Sequence, residues 1–599
     1  MKKSGQRTAG LCLTFLFFLL PLKFGTLGLM PEQPPMFPTD LLTLAVISWP
    51  VYFVGIAGAL LLIAAVLLFP APSRRTPGFL TALFWGALIP LASLPGLINA
   101  VNADYAAITI AHWWGIGAFI LSAWWIFSAD PVWKKYALNA LAAGVLITGI
   151  DGWRQHIWGF DEMVELIRKQ REAGVEISHI MEIRILDARV FSSLGSCNTF
   201  AGFLLLTAPA AFFLVREWGK RFEPVKLSRL LFSLVALILL VPPFFMTRSR
   251  GAWLCACLTG GIWFFTRPRI SWKYKALLLA LALLCAAGAA VAIARSDRGF
   301  LSGSERLDYL RTTAIMCGEK PLTGWGWGEF FHRHMKIKLS TSDESARSPH
   351  NMAASFAAHA GIPAGLVVLL AVGVLLFELF RTPSEDPLYR AARWGAAAFL
   401  LHSCMELNDS IPASMILCAA IPLAIMPEKK SLPEGEGLPS ASSRLAFTLA
   451  ALLVAGFAFY TSFNWLRGEA AFERLELSMR PRGVPENFTP ADTSQIMELL
   501  RHVDSLRPSS PYPSELVGDY LMSRGDLEGA KTLFERSFSF APGRPAIHRR
   551  LASVAALQGD RELAKKHLSH ARSLFPADPK NGEERFFEEL ERSRKRFSL

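Results

Sequence analysis

Two arginine-bearing segments and one histidine carry the most distinctive chemistry in this sequence. Thr247-Arg248-Ser249-Arg250-Gly251 is wedged between two apolar runs, and a long loop, 295–351, closes in Arg347-Ser348-Pro349-His350-Asn351. An arginine at a membrane boundary is costly and is normally matched by an anion. Its planar fork of donors fits phosphate oxygens and stays charged at any physiological pH. Arg248 and Arg250, two residues apart, point in different directions on a helix. The pattern favours Arg250, next to Gly251, as the one facing a ligand, with Arg248 beside it. Snorkelling to lipid headgroups is the plain alternative for each. Ser348-Pro349 has the form of an N-cap followed by proline at the first helical position, which places His350 in the first turn of the next helix. The positive end of a helix attracts phosphate and disfavours an imidazolium. A neutral imidazole there is suited to accept a proton near neutral pH; a capping or interfacial histidine is the plain alternative.

Other residues of the outer loops belong to the same picture. Ser302-Gly303-Ser304-Glu305 reads as a capping box that starts a helix running to about Cys317, with Arg306 in its first turn and Arg311 at the rim. Leu307, Leu310 and Ala314 are expected to pack this helix on the membrane domain. Pro321-Leu322-Thr323-Gly324-Trp325-Gly326-Trp327-Gly328 lacks the spacing and preceding strand of a dinucleotide fingerprint and suits a tight turn at the lipid interface. His332 and His334 read as surface residues rather than weak metal ligands, because no acidic cluster completes a site. Arg189 opens a stretch leading through Gly195-Ser196-Cys197-Asn198-Thr199-Phe200-Ala201 into a span. Asn198 reads either as a donor to a sugar or phosphate or as a helix cap. The stretch 161–172 reads as an amphipathic surface helix.

The elements that hold these residues are membrane helices. Hydrophobic residues make up 52% of 599, too many for a soluble globular chain, and they fall in blocks of bilayer-spanning length. Thirteen spans are predicted, at 11–29, 41–69, 79–98, 107–127, 136–150, 199–215, 230–246, 252–266, 276–294, 353–380, 391–407, 411–426 and 445–463. The fifth and twelfth, both short, leave the count at 12–13. The net charge of +13 gathers largely in alternate loops: the N-terminus, Arg74-Arg75, Lys134-Lys135, 216–229, 267–275, 381–393 and Lys429-Lys430. The positive-inside rule places that set, and the N-terminus, in the cytoplasm. The loops 151–198 and 295–352 and the C-terminal domain then lie outside. No nucleic-acid-binding pattern is present. The cysteines form no metal motif; six lie in apolar blocks, and Cys197 and Cys317 fall in or near outer segments, where pairing is left open by sequence.

After about residue 463 the chain turns polar. Arg524-Gly525-Asp526, Ala530-Lys531 and Ala541-Pro542 return 34 residues later as Gln558-Gly559-Asp560, Ala564-Lys565 and Phe575-Pro576, and Pro508 precedes Pro542 by the same interval. This period resembles tetratricopeptide repeats, whose helix pairs bury their apolar faces only against neighbours. A helical-repeat domain over 464–599 is expected, with a linker at 481–493 and a capped stack of two and a half copies completed by the helix 581–597; a plain pair of helical hairpins is the alternative.

Between about 180 and 425 the chain resembles the O-antigen ligase and polymerase family of bacterial membrane glycosyltransferases. The resemblance rests on the ordered set Gly195 to Ala201, Ser249-Arg250-Gly251-Ala252, Arg306 with Pro321-Leu322 and Gly324-Trp325-Gly326, and His350-Asn351 with Gly361-Ile362. Ser196-Cys197-Asn198 departs from the Asn-Pro-Asn-like element frequent in the family. The resemblance implies an all-α, GT-C-like polytopic bundle in the bacterial inner membrane. It implies no cofactor and metal-independent transfer of a glycan from undecaprenyl diphosphate to a hydroxyl or amide on the outer face. The acceptor would be lipid A-core, protein or growing polysaccharide. By carry-over, Arg250 and Arg306 hold the diphosphate and His350 activates the acceptor, so that His350, Arg250 and Arg306 are the catalytic set. Arg248, Arg189, Asn198, Arg311 and Asn351 are the substrate-binding candidates. A polymerase joining repeat units stands beside the ligase reading. A flippase is a more distant alternative, since its ionisable groups belong at mid-span, whereas here they collect at span ends.

Overall fold

The computed structural model describes residues 2–26, 41, 44, 47–172, 185–267, 270–276, 301–339, 346–427, 441–479, 492–576 and 582–597. Among these every regular element is helical, as expected of an all-α membrane bundle. The membrane part comprises α1 (Lys2–Lys23), α2 (Val51–Leu68), the run α3 (Phe79–Leu97), α4 (Ala103–Ala129) and α5 (Val132–Arg154). The surface helix α6 (Phe160–Glu172) follows, then α7 (Cys197–Trp218), α8 (Val225–Met246) and α9 (Arg250–Phe265). Two helices, α10 (Leu301–Glu319) and α11 (Glu329–Ile337), lie in the long loop. The bundle closes with α12 (Met352–Ala360), α13 (Ile362–Arg381), α14 (Pro387–His402), α15 (Pro412–Ile425) and α16 (Ala441–Met479). The predicted span 276–294 falls outside the described residues except at its first position, as do most of the loop 427–443 and the linker 481–493. Eight of the described helices are long and apolar enough to cross a membrane; α5, α9, α14 and α15 are helical but do not meet that standard.

The bundle is built around α4. Its apolar stretch is almost wholly buried, including Trp113, Trp114, Trp124 and Trp125, as befits a helix that is hydrophobic all round. Close approach is made possible by small residues: a Cβ on Gly115 of α4 would stand 2.7 Å from the Cα of Gly55 on α2. This is the packing that membrane helices use in place of a hydrophobic driving force.

One predicted span proves to be two helices. Gly361 (φ +97°) breaks 353–380 into α12 and α13, and a Cβ there would collide with the carbonyl oxygen of Leu322 at 2.2 Å. The break exposes carbonyls that the Gly-Trp turn satisfies. Trp325 and Gly326 donate their backbone N–H to Ala358 and His359, both at 2.9 Å, and Trp327 donates to Gly96 at 3.0 Å. The turn therefore ties α3, α12 and the long loop together. It does not line the polar cleft described below.

The loop helix α10 turns a different face inward from the one expected. Leu307, Leu310 and Ala314 are exposed, while Asp308, Tyr309, Thr312, Thr313 and Met316 are buried. The inward face meets α11, where the Thr312 hydroxyl lies 3.0 Å from His334 Nδ1 and the Tyr309 ring meets the His334 ring edge-on. His334 is thus fully buried, stacked on Phe330, and His332 is half-buried beside Glu329. The surface reading of both is corrected: polar pairing, invisible to hydropathy, decides the packing. The helix is also under way by Leu301, so Ser302–Glu305 lie inside it rather than at its start.

The last span has no break at 463. α16 continues to Met479, and its end joins the core of the C-terminal helices α17 (Thr493–Leu506), α18 (Tyr512–Ser523), α19 (Leu527–Phe540) and α20 (Pro545–Leu557). α21 (Arg561–Leu574) and α22 (Glu583–Phe597) complete them. The 34-residue sequence interval reappears as three N-caps. Asp492, Asp526 and Asp560 each accept a backbone N–H at 2.8–2.9 Å and each opens a 14-residue helix. Side-chain oxygens at this position satisfy otherwise unpaired amides of the first turn. The domain is clamped to the bundle at the start of α4. Arg507 reaches Asp104 at 2.5 Å and Glu469 at 3.2 Å, all three buried, and Asn102 donates to the Tyr512 hydroxyl at 2.8 Å. Phe331 and His332 of α11 pack against Phe575, just beyond α21.

Candidate active site

Helix ends make the site. α7 and α9 begin on one face of the bundle, α14 ends there, and α10 and the segment before α12 close over them. Between them lies a polar cleft of about 370 Å³ lined by Arg189, Asn198, Arg248, Arg250, Arg306 and His350, together with Tyr309, His402 and Glu406. Six of the eight candidate residues therefore share one cavity. Arg311 and Asn351 do not line it. Arg311 turns to Asp308 and to the carbonyl of Ile337, and Asn351 donates to the carbonyl of Cys404 at 2.9 Å. Asn351, not Ser348, is the N-cap of α12, accepting the amide of Ala354 at 3.0 Å. His350 therefore precedes the helix instead of occupying its first turn.

The residue that organises the cleft was not singled out from sequence. Glu406 is buried, with its side chain 6% exposed. Its Oε2 accepts from Asn198 Nδ2 at 2.9 Å and from Arg306 Nη2 at 3.1 Å, and its Oε1 lies 3.7 Å from His350 Nδ1. Arg306 also donates from Nε to the carbonyl of Met405 at 2.9 Å. The signal was present: an acidic residue at the end of an apolar run, in a chain with unmatched arginines at the same level, is a functional candidate by default. Counting 391–407 as one span concealed it. Tyr309, buried with its ring 5.2 Å from that of His350, was likewise unmarked in sequence.

The arginines divide into two kinds. Arg189 spends its fork within the protein, donating to the carbonyls of Thr247 and Arg248 and to Asn198 Oδ1, at 3.0, 3.4 and 3.0 Å. It staples the α8–α9 turn to the first turn of α7. Asn198 is consumed between Arg189 and Glu406 and caps nothing; the N-cap of α7 is Ser196. Arg248 and Arg250 are exposed to the cleft, so both, not one, face it. Among the described residues the Arg248 side chain reaches only the carbonyl of Asp187, at 3.1 Å, and the Arg250 side chain makes no hydrogen bond or ion pair. Arg250 is the first residue of α9, whose N-cap Ser249 makes no side-chain cap bond. A helix N-terminus with open amides adds to the positive field. Arg248 (φ +51°) and His350 (φ +55°) both occupy the left-handed region, a conformation that costs a non-glycine residue on the order of 1–3 kcal/mol and is concentrated at functional sites.

Beneath the cleft, α7, α8, α9 and α14 enclose an apolar groove of about 550 Å³, running from Leu204, Phe244, Ala256 and Ala398 near the cleft to Phe213, Trp263 and Ala391 at the far side. Cys197 and Cys317 are both free thiols. Among the described residues no group of three or more His, Cys, Asp or Glu side chains is arranged to hold a metal ion.

Compared with known proteins, residues 235–369 match the family model described as O-antigen ligase. That stretch contains Arg248, Arg250, Arg306, Tyr309 and His350, while Arg189, Asn198 and Glu406 lie on either side of it. No curated protein matches the chain. With its apolar helices and this match, the chain is a multi-pass membrane protein in which residues 235–369 are similar to the O-antigen ligase family.

Proposed function

We propose that the protein transfers a glycan from a polyprenyl diphosphate, such as undecaprenyl diphosphate, to an acceptor hydroxyl or amide at the outer face of the bacterial inner membrane. The observation that carries this reading is the shared cleft: two exposed guanidinium groups, an open helix end and a His350–Glu406 pair stand at one helix-end surface, above an apolar groove. In the reaction, the acceptor gives its proton to His350 as its oxygen or nitrogen attacks the anomeric carbon of the donor sugar. The bond from that carbon to the diphosphate breaks, and the lipid diphosphate leaves with the electron pair. Glu406 holds the imidazole in place and offsets the positive charge it acquires. Arg248, Arg250 and Arg306 meet the charge that grows on the leaving diphosphate, and the groove gives its prenyl chain a path. Preorganised donors of this kind are each worth about 10²–10³ in rate, and a positioned base about 10²–10⁴. Arginine supplies the charge stabilisation that a divalent cation gives in other phosphate chemistry, so the transfer is metal-independent. The 34-residue repeats, read as tetratricopeptide-like, lie on the same outer face and present a surface for a partner or acceptor.

The test is transfer by the purified protein in liposomes from a defined polyprenyl-diphosphate oligosaccharide. Activity is expected to survive EDTA and to fall at least tenfold in Arg250→Lys, which keeps the charge but loses the fork. A strict metal requirement, or full activity in that variant, contradicts the reading.

A further inference from the structure

The apolar groove has a second charged end. Arg267 and Arg390 line its mouth remote from the cleft, and Arg393 lies one turn along α14 from Arg390, within charge–charge range of both. Counting along the helices, Arg390 is about 18 Å from His402, and Arg267 about 25 Å from Arg250. The two charged ends thus lie at opposite ends of α9 and α14, and the positive-inside rule puts this basic end on the side opposite the cleft. The groove lining contains no carboxylate. Among the described residues, Arg390 alone of the three arginines has an acidic partner, Glu385 at 3.4 Å, and that glutamate is fully exposed, a pairing worth little. Arg267 lies over the Trp263 ring at 4.8 Å and Arg393 over Phe380 at 5.2 Å. The Nε of Arg393 is buried with no hydrogen-bond partner among the described residues.

A carrier whose diphosphate sits in the cleft brings no negative charge to this mouth, so a different anion must match these arginines. We propose that the mouth is a binding site for an anionic glycerophospholipid of the leaflet opposite the cleft. Its phosphate is held by Arg267, Arg390 and Arg393, and an acyl chain lies in the groove along Trp263 and Trp394. The apolar wall and the charged rim select both parts of such a molecule, whereas a free phosphate would use only the rim.

Native mass spectrometry of the detergent-solubilised full chain, titrated with phosphatidylglycerol and separately with phosphatidylcholine, tests this. Each arginine near a lipid phosphate is worth roughly fivefold. Wild type is expected to retain phosphatidylglycerol at least tenfold better, with the preference shrinking as salt is raised. Arg267→Gln/Arg390→Gln/Arg393→Gln should abolish the preference and Arg250→Gln should keep it. The proposal is overturned by equal retention of the two lipids, by a salt-independent preference in wild type, or by an unchanged preference in the triple variant. The salt series on wild type decides the matter even if the triple variant does not fold.

Discussion

At the scale of single residues, the account turns on how one buried carboxylate is shared. Glu406 takes donors from Asn198 and Arg306 on one oxygen and faces His350 with the other. Glu406→Gln keeps the shape but removes the charge that opposes an imidazolium. Transfer is expected to fall by about 10²-fold or more, with the pH dependence of the rate displaced, while the protein still inserts. An unchanged pH–rate profile would show that Glu406 is only structural. His350→Ala should lose about 10²–10⁴ of the rate with expression and membrane insertion intact; unimpaired turnover would remove histidine from the mechanism. Arg250 and His350 were legible in sequence because a charge beside an apolar run is conspicuous. Glu406 was not, because an acid at a span end announces itself only when its basic partner is known to be near. Arg189 and Asn198 were found, but their use in stapling the cleft is a matter of distance that spacing does not encode.

At the scale of elements, hydropathy located the helices and missed what joins them. Twelve of the thirteen predicted spans fall on described helices, because apolar length is a direct signal. The division at Gly361 and the inward face of α10 were hidden, since both depend on hydrogen bonds made across the chain. His334 gives that polar packing a measurable consequence. Burial pushes its pKa down to about 4 from the usual 6.5. The unfolded chain therefore takes up a proton near pH 6.5 that the folded protein refuses until about pH 4. Stability is complete above pH 6.5 and is lost as the pH falls towards 4, by ~2–3 kcal/mol from this group. Thermal unfolding of the full chain in detergent at pH 7.5, 5.5 and 4.5 should show the decline, and His334→Gln should flatten it. An equal slope in that variant would rule the group out.

At the scale of the whole molecule, the membrane bundle and the C-terminal helices are held as one body by a charged junction. The 34-residue repeats were plain in sequence, whereas the boundary placed at 463 was not a structural one, because α16 runs from the bundle core into the C-terminal core. Arg507 is buried between Asp104 and Glu469. Arg507→Met leaves two carboxylates without their cation, a change that typically costs about 3–5 kcal/mol. Limited proteolysis should then release the C-terminal helices at lower protease concentration than in wild type; identical cleavage would show the junction to be dispensable. The same junction and the Phe331–Phe575 contact fix the repeats beside the loop that carries Arg306 and Tyr309, so a partner bound there would be held next to the cleft.

The most direct test of the central claim is the mass of the acceptor after a single turnover with a polyprenyl-diphosphate oligosaccharide. Breaking the bond between sugar and diphosphate predicts an acceptor heavier by the glycan alone, with the whole diphosphate left on the lipid. A product carrying phosphate would place the cleavage elsewhere and contradict the roles assigned to Arg250, Arg306, His350 and Glu406.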